Sequence, residues 1–149
     1  MLSFTKTVLI FATLLTLTAC GASKQAKPIT GNLPAISPES ARIYFYRSQV
    51  PFLAAIEPEF LVNGKSVGSA KINQVLYRDA QPGNYEIKIS SDIEKPILIL
   101  LKPRESRFFK AYGTTSVIRS YHAIKEVPEP EALKEIQGQK LLPPDLNQN

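Results

Sequence analysis

One histidine, one cysteine and a handful of spaced carboxylates are the residues here whose types suit covalent or acid–base chemistry. His122 stands beside Tyr121. A general base needs an acid to orient it and a nucleophile within reach. The sequence around His122 supplies no such set, so it reads as a surface or packed histidine. Zinc needs several His, Cys or carboxylate ligands, and one His with one Cys does not make a site. Asp79, Asp92 and the C-terminal glutamates lack the spacing of a calcium loop. Glu57 and Glu59 flank Pro58. A glycosidase pair needs one carboxyl with a raised pKa, and nothing near these two would raise it, so they read as solvated charges entering a strand. Asn63-Gly64 and Val67-Gly68 place glycines in a hairpin and not at the start of a helix, which excludes a phosphate loop. The expectation is a protein that is not an enzyme and needs no metal or cofactor.

Cys20 calls for a different chemistry. Met1 to Ala19 has the build of a signal peptide: a short basic start with Lys6, an apolar run from Val8 to Leu17, and the small residue Ala19 at its end. A spanning helix needs about twenty apolar residues, and Thr13, Thr16 and Thr18 dilute a run already too short. Leu17-Thr18-Ala19-Cys20 resembles the lipobox of bacterial lipoproteins. The resemblance implies cleavage before Cys20, a diacylglyceryl thioether on its sulfur, and acylation (palmitate, for example) of the new amino group. Two or more chains make anchoring stable, at ~0.8 kcal/mol per buried methylene. Gly21 stands where an Asp resembles an inner-membrane retention signal, so the periplasmic face of the outer membrane is favoured.

Cys20 is the only cysteine, so no internal disulfide can form and packing alone must hold the domain. Eighteen basic residues less Lys6 leaves seventeen against thirteen acids in the mature chain. That modest positive charge suits anionic headgroups or wall polymers. Export and the scattering of the charges argue against nucleic acid.

The elements that follow read as one domain of strands. Residues 20–40 have a linker's composition, with Pro28, Pro34 and Pro38 among Gly, Ser, Ala and Lys. A flexible tether of that length reaches roughly 65 Å at full extension. The β-domain is expected over 41–127. Ala41 to Arg47 is its first strand, with Ile43 and Phe45 on the core face. Arg42, Tyr44 and Tyr46 share the other face, the tyrosines being either half-buried or an aromatic contact surface. Gln49 to Pro58 is a loop whose apolar tip, Phe52 to Ile56, plugs one end of the core or serves as a lip. Asn63-Gly64 predicts a type I′ hairpin, and Pro82-Gly83 a type II turn, within a central meander from Phe60 to Ile89. A further strand is expected from Val75 to Arg78, and a turn at Ser90-Ser91-Asp92. Pro96 to Leu101 is apolar on both faces, which predicts a fully buried strand or an aggregation hazard blunted by flanking charge and proline. Strands at Arg107 to Tyr112 and within Ser116 to Glu126 complete a small antiparallel β-sandwich. Residues 128–149 carry a short helix, opened by Pro128 and stopped by Gly138, then a frayed tail from Leu141.

Val62 to Gly68 followed by Pro82-Gly83-Asn84-Tyr85-Glu86-Ile87 is similar to the PEGA repeat of bacterial surface proteins, although Ser69-Ala70 replace its usual Thr-Pro. Over roughly Ala41 to Tyr112 the chain resembles an uncharacterised family of bacterial lipoproteins defined only as a domain of unknown function. The resemblance implies a transthyretin-like or immunoglobulin-like sandwich in the cell envelope, and no reaction or ligand.

Two functions fit. One is an accessory module that binds another envelope protein through Tyr44 and Tyr46, through Arg104, or by strand addition at an edge. The other is a glycan or peptidoglycan binder using Tyr77, Tyr112 or Tyr121 beside Arg or Asn. Lys102, Arg104 and Arg107, if gathered at one corner, would meet anionic headgroups or wall polymer.

Overall fold

The computed structural model describes residues 26–91, 95–115 and 119–142, with no account of the Phe52 side chain. In chain order the strands are β1 (Lys27–Pro28), β2 (Ala41–Arg47), β3 (Glu59–Val62), β4 (Lys65–Ser69), β5 (Gln74–Ala80), β6 (Gly83–Ile89), β7 (Ile97–Leu101), β8 (Ser106–Thr115), β9 (Ser120–Val127) and β10 (Lys140–Leu142). A 3-10 turn at Pro51–Leu53 and the helix α1 (Glu129–Glu135) complete the set. The first sheet runs β1-β10-β5-β2-β8-β9 and the second β4-β3-β6-β7. This is the expected β-sandwich with a short C-terminal helix.

Most pairs are antiparallel, but β2 lies parallel to β8, and β10 parallel to β5. A parallel pair needs a crossover, and between β2 and β8 the chain makes it by building the whole second sheet together with β5 of the first. The central meander is corrected on this point. β3, β4 and β6 stay in one sheet, while β5 crosses to the other and pairs with β2. The hairpin turn forms as read: Asn63 and Gly64 take φ of 50° and 75°, the left-handed values a type I′ turn requires.

The sandwich core joins Ile43, Phe45, Phe109 and Ala111 of the first sheet to Phe60, Val62, Ile87 and Ile89 of the second. A second core lies on the outer face of the first sheet. There Tyr44, Tyr46, Val75, Phe108 and Val127 meet Ile29, Ala132 and Ile136. Both faces of β2 are therefore covered, and all seven of its residues are buried.

Two elements make that cover. α1 has Glu129 and Glu131 in its first turn and Lys134 in its last, matching the helix dipole. Gly138, at φ 77°, follows it in the left-handed conformation that ends helices. The other element is the segment expected to be tether. Lys27 and Pro28 pair with Leu141 and Lys140. Ile29 is buried and closes a backbone pair with Gln139 and Gly138 at 2.8 and 2.9 Å, and Leu33 packs on the same core. Burying Ile29 alone contributes about 1.5–3 kcal/mol, which residues free in solvent could not gain. The linker expectation for 20–40 is thus corrected from residue 27 onward: this strap belongs to the domain. The frayed tail is corrected likewise for Leu141 and Leu142, which sit in β10. The expected signal peptide, Cys20, the expected turn at Asp92, the start of the expected strand near Ser116 and the tail beyond Leu142 lie outside the described residues.

Candidate functional site

Ile97-Leu98-Ile99-Leu100-Leu101 is apolar at every position, and β7 can turn only alternate residues inward. Ile99 and Leu101 join the core. Leu98 and Leu100 face solvent, 75% and 56% exposed. Among the described residues β7 pairs with β6 alone and ends its sheet, so its outer row of backbone N–H and C=O groups has no described strand opposite. The expectation of a strand buried on both faces is corrected: this is an edge strand with one bare apolar face. Edges are normally blunted by lysines within the strand. Here Lys95, Pro96, Lys102 and Pro103 bracket β7, and leucines occupy its outward positions. On the same face Glu86 stands opposite Leu98, and Asn84 opposite Leu100.

Tyr44 and Tyr46 do not form a surface. Each is only 1% exposed, because α1 and the strap lie over them. Tyr44 stacks on Phe108 at 4.8 Å between ring centroids. The Tyr46 hydroxyl donates to Glu135 Oε2 at 2.6 Å, and burial, then this carboxylate, push its pKa up. Burial alone would raise the Glu135 carboxyl, but hydrogen bonds from Lys110 and Tyr46 pull it below its ordinary value. Arg42 is buried as well. It bonds Asp79 through two nitrogens at 2.5 and 3.0 Å, donates to the Pro34 carbonyl at 2.9 Å, and lies over the Tyr77 ring. Desolvation works against its charge, yet Asp79 and Tyr44 raise its pKa overall. Arg42 therefore clamps the strap to the sheet.

Arg104 is exposed in the turn from β7 to β8, at φ 62°, with its backbone N–H on the Ser40 carbonyl. Its side chain lines a 670 Å³ cavity with Leu33, Pro34, Tyr44, Glu129 and Leu133. Lys102 shares that turn, but Arg107 is paired with Glu126 and Glu105 and does not join a free basic cluster. Of the three tyrosines considered for glycan, Tyr77 sits under Arg42 and Tyr112 beside Lys125. Tyr121 lines a separate cleft of 280 Å³ with Ser90, Ser91, Arg119 and Ser120.

His122 is fully buried beside this cleft, and among the described residues neither ring nitrogen has a hydrogen-bond partner. Ser91 Oγ bonds only its backbone carbonyl, at 3.1 Å. Burial, then the Arg47 cation, pull the imidazole below its ordinary 6.5. An unfolded chain then takes up the proton before the folded one as pH falls. Stability present above pH 6.5 should be lost below it, by up to ~1.4 kcal/mol per pH unit. Urea midpoints measured between pH 8 and 5 check this, and His122→Phe should flatten the acid side of the profile.

Sequence reasoning overlooked Arg47. It is 2% exposed and donates to the carbonyls of Leu53, Ile56 and Ala70 at 2.6, 2.8 and 3.0 Å. It thereby fastens the Gln49 to Pro58 loop as a plug, with Leu53 buried beneath. The signal was an arginine at a core-parity position of β2, two residues after Phe45.

Among the described residues no three metal-ligating side chains gather, and no helix is long and apolar enough to cross a membrane. No protein-family model matches the chain, no curated protein matches its sequence, and no solved structure matches its fold. Fold and surface together define a small β-sandwich domain with one bare apolar edge.

Proposed function

We propose that this chain is a non-enzymatic envelope lipoprotein, anchored through Cys20, whose sandwich binds another protein by strand addition along β7. The observation that carries the reading is the exposed Leu98–Leu100 face on an unpaired edge. An added strand would take main-chain hydrogen bonds from the edge and cover the two leucines with its own alternate side chains. Each leucine so buried contributes about 1.5–3 kcal/mol before the losses of association.

A photo-reactive residue at Leu98 or Leu100 in the living envelope should give a discrete protein adduct. With the probe moved to Lys102, Leu98→Glu plus Leu100→Glu should abolish that adduct and change folding stability by no more than ~0.5 kcal/mol, as exposed substitutions do. No protein adduct at any β7 position overturns the reading. The anchor has its own check: palmitate labelling of the cell should mark the protein, and Cys20→Ala should remove the label.

The cleft at Tyr121 favours a second reading, a glycan site, because its lining brings an aromatic residue together with Arg119 and three serines. Co-sedimentation with purified peptidoglycan, lost on Tyr121→Ala, would support it.

A further inference from the structure

The docked strap changes how far the domain can stand from its anchor. From Cys20 to Lys27 the chain advances seven residues. That stretch spans at most ~25 Å, against roughly 65 Å for a tether running to Ser40. A folded chain of this size is about 35 Å across, so the leash is shorter than the domain it holds. The strap is fixed by the Ile29 pairing with Gln139 and Gly138, by Gly31 N–H on Gln137 Oε1 at 3.3 Å, and by Arg42 on the Pro34 carbonyl. Gln137, Gly138 and Gln139 lie in the turn from α1 to β10, and Arg42 lies in β2, so the strap is held at two separate parts of the fold.

Where the leash enters, two exposed lysines stand on adjacent strands. Lys140 of β10 is the register partner of Pro28, and Lys27 of β1 that of Leu141, so the two lysines flank the β1–β10 edge from its opposite faces. Among the described residues neither makes an ion pair. At the other side of the sandwich lies β7. In the second sheet β4 lies over β5, where Leu76 approaches Gly68, and β6 lies towards β9. With the order β4-β3-β6-β7, β7 falls on the β9 side, away from β1 and β10.

We propose that the seven-residue leash seats the β1–β10 edge on the membrane that carries the lipid, with Lys27 and Lys140 on anionic headgroups, and turns β7 away from the bilayer. The inference rests on the anchored-lipoprotein reading and adds an orientation to it. A short leash keeps the local concentration of anionic headgroups near the two lysines high. A partner strand would then reach β7 from the aqueous side.

The chain contains no tryptophan, so a single introduced one reports position unambiguously. The mature chain from Cys20 is coupled through that thiol to a maleimide phospholipid in vesicles of phosphatidylcholine with phosphatidylglycerol. Energy transfer to dansyl headgroups is compared for Pro28→Trp and Leu98→Trp. Position 28 should show roughly twofold more transfer, in keeping with a leash shorter than the domain. A Gly/Ser insert between Gln25 and Ala26, as long as residues 21–40, should remove the difference. High salt, omission of phosphatidylglycerol, or Lys27→Glu with Lys140→Glu should each reduce it by more than about half, since headgroup attraction is screened and charge-dependent.

Equal transfer from the two positions overturns the orientation. Stronger transfer from position 98 overturns it in favour of leucines seated on the bilayer. A difference indifferent to salt, lipid charge and both lysine substitutions overturns the headgroup contact. Because the lipid is attached chemically, none of these outcomes depends on acylation in the cell, which palmitate labelling decides separately.

Discussion

Arg47→Ala is expected to destabilise the domain by about 3–5 kcal/mol and to release the loop from Gln49 to Pro58. The guanidinium makes three charge-assisted bonds to carbonyls of Leu53, Ile56 and Ala70. Such bonds contribute about 1.5–3 kcal/mol each, and truncation also strands their acceptors. Part of the loss is recovered when the loop opens and its carbonyls reach water. Arg47→Lys should fare little better, because one ammonium cannot span three carbonyls that the planar fork reaches from two nitrogens. Urea denaturation measures the loss. Hydrogen exchange at Leu53, Ala54 and Ile56, whose N–H groups bond within the loop, should accelerate well before the rest of the sheet. A change below ~1 kcal/mol with exchange unaltered would show that the plug holds itself.

Phe45→Ala should cost a similar ~3–5 kcal/mol, the range for a large aromatic removed from a core. Phe45 is 0% exposed and stands where the two sheets meet, 5.0 Å from the Phe60 ring and 5.9 Å from that of Phe109. Those neighbours come from two strands in different sheets, so the cavity cannot close by shifting one of them. The loss has a transfer part and a cavity part, and only the second depends on this rigidity. Phe45→Leu keeps most of the volume and should cost no more than about 1.5 kcal/mol. Comparing the two variants by chemical denaturation separates the parts. Equal losses would mean the site collapses freely around either side chain.

Residue patterns near one another in the chain were legible because local chemistry decides them. Asn63-Gly64 reads as a type I′ turn since few residues tolerate positive φ, and the turn is there. Ala41 to Arg47 reads as a strand from its β-branched and aromatic content, and its bounds are as expected. Pro128 and Gly138 bracket a helix for reasons of proline and glycine backbone geometry, with α1 inside them.

Exposure was legible only where alternation was clean. Tyr44 and Tyr46 stand on the face opposite Ile43 and Phe45, which reads as an outer face. A helix and a strap from the two far ends of the described chain cover it. Leu98 and Leu100 carry no polar mark of an outer face, so their exposure depended on β7 having no second neighbour.

Local chemistry was enough for the strand-rich class, the hairpin and the helix, and it supplies the Cys20 motif that motivates the anchor. These follow from residue types and short spacings, where sterics and periodicity act within a few positions. Tertiary structure alone decided that β5 crosses between sheets, that the supposed tether folds back as a strap, that Arg47 fastens a plug, and that β7 is left as the bare edge. Each of these depends on pairing between residues far apart in the chain. Such pairing is chosen by the burial and hydrogen bonding of the whole domain, which no short stretch encodes.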